Sequence, residues 1–145
     1  MEGFNIANTK FSNAIYILVA IATSDNEQLS SQKIAAQFNG SACVVRRIMS
    51  ELNKDELINT TRGSAKTTLL KDPKDMTLYQ IFKTVTPDYK ILNVDEKVDQ
   101  SCPLARAMPE VLKTRYEDLQ RTMENQLKEQ TLQDVIDDIK KAQPQ

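Results

Sequence analysis

Apolar residues recur every three or four positions in six segments of the chain, which is the spacing of an amphipathic helix. The pattern predicts a first helix from about Thr9 to Thr23, preceded by a polar arm over residues 1–9. Ser30 and Ser41 are good N-caps for a second and a third helix. Asn39-Gly40 separates these helices, because both residues tolerate a left-handed backbone. Two short helices joined by such a turn predict a helix-turn-helix.

The third helix separates an apolar face from a basic face. At about 100° per residue, one face carries Val45, Ile48, Met49 and Leu52. The opposite face carries Cys43, Arg46, Arg47, Ser50 and Lys54. Arginine forks match guanine edges and phosphate oxygens, so the second face predicts DNA contact. An ordinary solvated helix is the alternative interpretation of the same pattern.

Two short β-prone runs follow, separated by a loop with a basic residue at each end. The runs are Leu57–Thr61 and Thr67–Leu70, and the loop carries Arg62 and Lys66. In a winged helix-turn-helix such a hairpin is the wing, whose tip contacts phosphates or the minor groove. The order of helix, turn, basic-faced helix and basic-tipped hairpin is more specific than any one element, and it predicts a DNA-reading unit.

A fourth helix and an irregular segment come next. Thr77 and Gln80 have the spacing of a capping box, and the apolar stripe behind them predicts a core helix that ends at Pro87. Residues 88–102 have no clear period and predict a loop. We therefore divide the chain into a winged helix-turn-helix over 1–87, a junction over 88–108 and a helical part over 109–145.

The last part predicts one long helix and one short helix. Pro109 suits a first helical position, and a helix from there to about Gln130 would be roughly 33 Å long. Its apolar stripe, close to a heptad seam, consists of Leu112, Tyr116, Leu119, Met123 and Leu127. Such a helix rarely buries its stripe within one small domain, so the stripe predicts a homodimer interface. Packing within the same subunit is the alternative. Thr131 should cap a final helix that folds back onto the body.

Composition adds three constraints. No apolar run among the 145 residues reaches the roughly 18 needed to span a membrane, and no secretory signal is apparent, so we expect a cytoplasmic protein. The net charge is −1, with eight basic and six acidic residues through Lys71 and eleven basic and fourteen acidic residues after it. A basic front and an acidic rear would orient the protein on DNA, although chance would also produce this small asymmetry.

Cysteine and histidine counts limit the chemistry. The chain has no histidine, which is the commonest general base and metal ligand, so we expect neither an enzyme nor a metal site. Cys43 and Cys102 are too few for a disulfide framework. Cys102 precedes a predicted helix and is a candidate redox switch, with an inert cysteine as the alternative. Cys43, on the predicted DNA face, would block binding if it were modified.

In this order the elements resemble the Rrf-two family of bacterial winged-helix transcription regulators, over nearly the whole chain. The first helix of that family is similar to TKFSNAIYILVAIA, and its helix-turn-helix to SSQKIAAQF-N-GSACVVRRIMSEL. Its wing and following helix are similar to INTTRGSAKTTLLKDPKDMTLYQIFKTV, and the junction before its long dimerisation helix to CPLARAMPEVL. The resemblance implies a mainly α fold, with a small β-hairpin wing and a long C-terminal dimerisation helix.

The resemblance also implies where DNA and a cofactor would bind. By position it puts Lys10, Arg46, Arg47, Arg62 and Lys66 at the DNA. Together with the face and cap residues above, the candidate DNA-binding set is Lys10, Ser41, Arg46, Arg47, Ser50, Lys54, Arg62 and Lys66. Relatives with an iron–sulfur cluster use three clustered cysteines before the long helix, where this chain has only Cys102. A cluster needs four ligands, mostly thiolates, so we expect no cofactor.

The sequence thus predicts a homodimeric, sequence-specific DNA-binding transcription regulator, in the form of a repressor. Twofold symmetry implies a pseudo-palindromic operator with half-sites one helical turn, or a multiple of it, apart. Two alternatives stay open. The winged helix would bind a protein in the first, and a partner protein or small ligand would control the regulator in the second.

Overall fold

The chain is mainly helical, with one short β-hairpin. The computed structural model describes residues 2–24, 30–38, 40–60 and 67–143. Within them lie helices α1 (Glu2–Thr23), α2 (Ser31–Gln37), α3 (Ala42–Lys54), α4 (Leu78–Val85), α5 (Pro103–Lys128) and α6 (Leu132–Ala142). The strands are β1 (Ile58–Asn59) and β2 (Thr68–Leu69), and a 3-10 turn spans Pro73–Asp75. This order matches the predicted winged helix-turn-helix followed by a long and a short helix.

The predicted caps of the helix-turn-helix are confirmed. The Ser30 hydroxyl accepts a hydrogen bond from the Lys33 backbone amide at 3.1 Å, and the Ser41 hydroxyl accepts one from the Cys43 amide at 3.1 Å. Each bond satisfies an amide that the first helical turn leaves without a helical partner. Side-chain chemistry therefore defines the starts of α2 and α3.

Gly40 is needed at the turn for a different reason from the one predicted. Its backbone is not left-handed; instead, a Cβ at this position would overlap the ring of Phe38. The ring also makes an edge contact with Tyr16 at a centroid distance of 5.0 Å, which limits how far the ring can move. Close packing, rather than conformational freedom, thus requires glycine here. Asn39 lies outside the described residues.

The predicted polar arm over residues 1–9 is wrong from residue 2 onward, because α1 already begins at Glu2. Once a helix has formed, each added residue gains a hydrogen bond at little further cost. No proline interrupts residues 2–9, so nothing in the sequence stops the helix at Thr9.

The hairpin is shorter than the two predicted runs. β1 and β2 pair antiparallel, with Ile58 opposite Leu69 and Asn59 opposite Thr68. The Leu70 amide also donates to the Leu57 carbonyl at 3.0 Å. Residues 61–66, which include the predicted wing tip with Arg62 and Lys66, lie outside the described part of the chain.

One apolar core joins the N-terminal elements to the last helix. Fully buried side chains come from α1, α3, the hairpin, α4 and α6, including Ile17, Ile48, Ile58, Ile81 and Leu132. The start of α6 is tied to the start of α4 by an antiparallel bridge between Thr77 and Thr131. Thr131 and Asp134 form a reciprocal capping box. The predicted return of the last helix onto the body is therefore confirmed.

The predicted start of the long helix is wrong. α5 begins at Pro103, six residues before Pro109, and at about 1.5 Å per residue it is roughly 39 Å long. Either proline would suit the first position of a helix, but Pro103 occupies that position and Pro109 lies inside the helix. Pro109 has no N–H to donate to the carbonyl of Ala105, which the helix tolerates.

Residues 88–102 have neither helix nor strand, as predicted. None of the described helices is long and apolar enough to cross a membrane.

Candidate nucleic-acid interface

Helix α3 has the two faces that its sequence predicts. Val45, Ile48 and Leu52 are at most 1% exposed, and Met49 packs against the same core. The opposite face is exposed and consists of Cys43, Arg46, Arg47, Ser50 and Lys54. Because the apolar face fixes the helix against α1 and α4, the orientation of the exposed basic face is also fixed. A rigid helix with outward guanidinium groups can bind phosphates and base edges.

A shallow groove of about 410 Å³ runs between α2, α3 and the hairpin. Arg46 lies on its edge, where Nη1 donates to the Ser31 hydroxyl at 3.4 Å. The Asn53 side-chain oxygen accepts a hydrogen bond from the Thr60 amide at 3.2 Å, so the end of β1 is held against α3. The groove brings together Ser31, Arg46, Met49, Ser50, Asn53, Thr60 and Thr67.

Apart from Met49, which the sequence prediction assigned to the apolar face, it missed four of these groove residues, namely Ser31, Asn53, Thr60 and Thr67. A signal was available for one of them. Asn53 is three positions after Ser50 and seven after Arg46, so it shares their helical face. The other three come from α2 and the hairpin, whose approach to α3 depends on tertiary packing.

Lys10 is engaged within the fold. Its Nζ donates to Oε1 of Glu51 at 2.8 Å, and the side chains are 27% and 33% exposed. The second oxygen of Glu51, Oε2, is buried and has no hydrogen-bond partner among the described residues. The ion pair therefore joins α1 to α3 beside the basic face. Of the remaining candidates, Ser41 is exposed at the start of α3, and Arg62 and Lys66 are outside the described residues.

The two cysteines lie on different elements. Cys43 is exposed on the basic face of α3. Cys102 is half-buried at the N-cap of α5, and its amide donates to the Asp99 carbonyl at 3.2 Å. The Ser101 hydroxyl and amide both donate to the Asp99 carboxylate, at 2.6 and 2.9 Å. These two bonds hold the pKa of Asp99 below its usual value, because they stabilise the charged carboxylate.

Helix α5 presents an apolar face to solvent. Leu104 is 71% exposed, Met108 41%, Val111 55% and Leu119 54%. At about 100° per residue these four side chains fall within roughly 80° of the helix circumference. Of the five predicted seam residues, Leu119 belongs to this face. The other four, Leu112, Tyr116, Met123 and Leu127, are half-buried, and Leu127 packs against the core of its own chain.

A basic recognition helix behind a tight turn, followed by a hairpin, defines a winged helix-turn-helix DNA-binding protein. Sequence comparison agrees. The model of the Rrf2 family, described as iron-dependent transcriptional regulators, matches residues 7–138. The chain belongs to the Rrf2 family of transcriptional regulators.

Individual relatives support the same assignment. YwnA of Bacillus subtilis (strain 168), described as an HTH-type transcriptional regulator, is 33% identical over 132 residues, covering 91% of this chain and 98% of YwnA. A crystal structure described as that of a DNA-binding protein is 32% identical, with a TM-score of 0.70 over 88% of this chain and 98% of that one. CymR, the global cysteine regulator of B. subtilis, shares the fold at 18% identity, with a TM-score of 0.65 over 89% and 94% of the two chains.

The residues present do not fit the iron that the family description names. The chain has two cysteines and no histidine, whereas an iron–sulfur cluster takes four ligands, mostly thiolates. Cys43 and Cys102 belong to different elements. Among the described residues, no three His, Cys, Asp or Glu side chains form a group that could hold a metal ion.

Proposed function

We propose that this protein is a homodimeric, cytoplasmic repressor that recognises a specific DNA sequence through α3 and acts without an iron–sulfur cluster. The observation that carries this proposal is the exposed face of α3, where Arg46, Arg47, Ser50 and Lys54 project together from a helix fixed by the core. In the complex, α3 enters the major groove, and the hairpin lies over the neighbouring backbone. Arg46 and Arg47 are the residues best suited to bidentate contact with guanine.

A second copy of the chain would cover the exposed apolar face of α5. Four apolar side chains on one helical face are costly to leave in water, and burying each contributes roughly 1.5–3 kcal/mol when the burial is complete. A twofold axis through this face would pair it with its own copy. Two α3 helices would then meet a pseudo-palindromic operator with half-sites separated by whole helical turns.

Fluorescence anisotropy tests the DNA-binding proposal. The reduced protein is titrated into labelled duplex from upstream of its own gene and into a scrambled duplex of the same composition. We expect tight, selective binding that weakens steeply as salt increases, because bound phosphates release counterions. Selection of the fragments that the protein binds from a library of genomic DNA extends the test to operators at other genes. If the protein bound no DNA fragment selectively and bound a protein partner with little dependence on salt, the winged helix would instead be a protein-interaction module.

Repression is tested separately, by transcription in vitro from a promoter that contains the selected operator. A repressor lowers the amount of transcript as the protein is added, with half-maximal effect near the Kd for that operator. An increase in transcript would identify an activator and would leave the DNA-binding proposal intact.

Thiol oxidation is the signal that we assign to Cys102. Hydrogen peroxide would convert the thiol to a sulfenic acid and be reduced to water. A more polar, hydrogen-bonding group at the N-cap of α5 would change the junction that connects this helix to the DNA-binding part. We expect peroxide to lower operator affinity in the Cys43→Ser protein and to have no effect in the Cys102→Ser protein. An undiminished response in Cys102→Ser would rule out this role, and its loss in Cys43→Ser would assign the response to the DNA face.

A further inference from the structure

A groove of about 440 Å³ lies between the irregular segment and α5. Lys90 and Glu96 line it from the segment, and Lys113 and Glu117 line it from α5. These α5 residues lie roughly 170° around the helix from the exposed apolar face, at about 100° per residue. A second subunit on the apolar face would therefore leave the groove open. Its volume is in the range of small-molecule sites.

Three positive and three negative side chains line the groove, and two of them, Arg121 and Glu124, are paired with Asp118 and Lys83. The other four are Lys90, Glu96, Lys113 and Glu117. None of the four side chains forms an ion pair with any residue in the described part of the chain. Positive and negative groups that do not neutralise one another suit a ligand that carries both charges. A phosphate or a dicarboxylate would face Glu96 and Glu117 without a counter-charge, and a polyamine would face Lys90 and Lys113.

We propose that this groove binds a zwitterionic α-amino acid. Its carboxylate would lie towards Lys90 and Lys113, and its ammonium group towards Glu96 and Glu117. Charge-assisted hydrogen bonds of this kind are about twice as strong as neutral ones. The apolar side chains of Leu92 and Val94, which also line the groove, would contact the amino-acid side chain.

Gln120 connects the groove to the DNA-binding part of the chain. Its side-chain oxygen accepts from the Ile91 amide at 2.9 Å, and its nitrogen donates to the Tyr89 carbonyl at 3.3 Å and to Glu124 at 3.1 Å. The Glu124 carboxylate is 4.0 Å from Nζ of Lys83 on α4. Helix α4 in turn packs against α1 and α3. A ligand beside Gln120 and Glu124 would thus act on contacts that hold the segment to α5 and α5 to α4, and this regulatory part rests on the proposed DNA-binding function.

Calorimetry without DNA tests the site itself. The reduced, full-length protein is titrated with each of the standard L-α-amino acids at millimolar concentration. We expect at least one to bind, and its N-acetyl and amide derivatives, which each lack one charge, to bind at least about tenfold more weakly. If none of the amino acids binds, or if the singly charged derivatives bind equally well, the proposal is overturned.

Two groove variants locate the site. Lys113 and Glu117 are exposed, so Lys113→Ala and Glu117→Ala should fold normally and bind the amino acid at least about tenfold more weakly. Lys141→Ala and Asp138→Ala, which remove exposed charges from α6, are the matched controls and should bind it as the unaltered protein does. Unchanged binding in both groove variants would overturn the assignment to this groove.

Anisotropy with and without saturating amino acid tests the regulatory part. We expect operator affinity to change by about fivefold or more, since coupling between two sites is reciprocal and commonly of this size. An unchanged operator Kd would overturn the regulatory role and leave the binding site supported. Amino-acid binding with no selective DNA binding would overturn the proposed function and not the site.

Discussion

Arg46 is the residue whose position best fits base recognition. It projects from the basic face of α3 at the edge of the groove, and the Ser31 hydroxyl is the one hydrogen-bond partner of its guanidinium group among the described residues. We expect Arg46→Ala to weaken operator binding by roughly 1–3 kcal/mol and to reduce the preference over scrambled DNA. Anisotropy titrations of both duplexes measure the two effects.

Arg46→Lys is the matched variant, because it keeps the charge and removes the planar fork. It should retain binding to scrambled DNA while losing part of the selectivity. Equal losses on operator and scrambled DNA in Arg46→Ala would mean that Arg46 contacts phosphate and reads no base.

The ion pair between Lys10 and Glu51 contributes to stability from a partly buried position. Replacing Lys10 with methionine keeps most of the alkyl chain and removes the charge that faces Glu51. We expect Lys10→Met to lower the free energy of unfolding by about 1 kcal/mol, at the upper end for surface pairs because both groups are about two-thirds buried. Urea denaturation measures this value.

Glu51→Gln supplies the background that isolates the pair. In that protein, Lys10→Met should change stability much less, and the difference is the coupling energy of the two side chains. Equal effects of Lys10→Met in both backgrounds would show that the alkyl chain, rather than the ion pair, carries the contribution of Lys10.

At the scale of the elements, the α2–α3 turn has a tight packing requirement. A Cβ at Gly40 would overlap the Phe38 ring, which also makes an edge contact with Tyr16. We expect Gly40→Ala to lower the free energy of unfolding by roughly 1–3 kcal/mol, as overpacking does elsewhere. In a Phe38→Ala background the same substitution should cost little, because the ring is gone. A large loss in both backgrounds would indicate strain in the backbone itself.

Helix starts marked by a side-chain cap could be predicted from the sequence, and the start of α5 could not. Ser30, Ser41 and Thr131 each satisfy a backbone amide, so the residue type itself marks the boundary. Pro103 and Pro109 are equally compatible with a first helical position, and Cys102 makes no side-chain cap bond. Local chemistry therefore does not determine which proline begins α5, and tertiary packing determines it instead.

Because the predicted start of α5 was wrong, the sequence prediction also omitted part of the candidate dimer face. With the helix beginning at Pro109, Leu104 and Met108 belong to an irregular junction and cannot continue an apolar stripe. The heptad prediction then selected residues such as Tyr116 and Leu127, which are half-buried within their own subunit. By contrast, the exposed basic residues of α3 could all be predicted, because a single helix with a strong apolar face determines which residues point outward, and only Asn53 was missed on that face.

At the scale of the whole molecule, α5 separates the two interactions that we propose. Its apolar face is free for a second copy, and the groove lies on nearly the opposite side, next to the segment that precedes the helix. The DNA-binding elements and α6 share one core, so we expect them to move together if α4 shifts relative to α5. Dimer spacing and ligand binding would therefore both act on the position of α3.

Val111 tests the dimer face directly, since it is 55% exposed near the middle of the apolar stripe. A lysine there would bring two like charges together across a twofold axis and would cost several kcal/mol on association. We expect Val111→Lys to be monomeric by sedimentation at concentrations where the unaltered protein is dimeric, and to bind the operator at least about tenfold more weakly. Thr114→Lys adds the same charge to an exposed position about 100° around the helix from the stripe, and it should stay dimeric. Dimerisation that survives in Val111→Lys would assign the interface to another surface, and the half-site spacing of the operator would then have to follow from that surface.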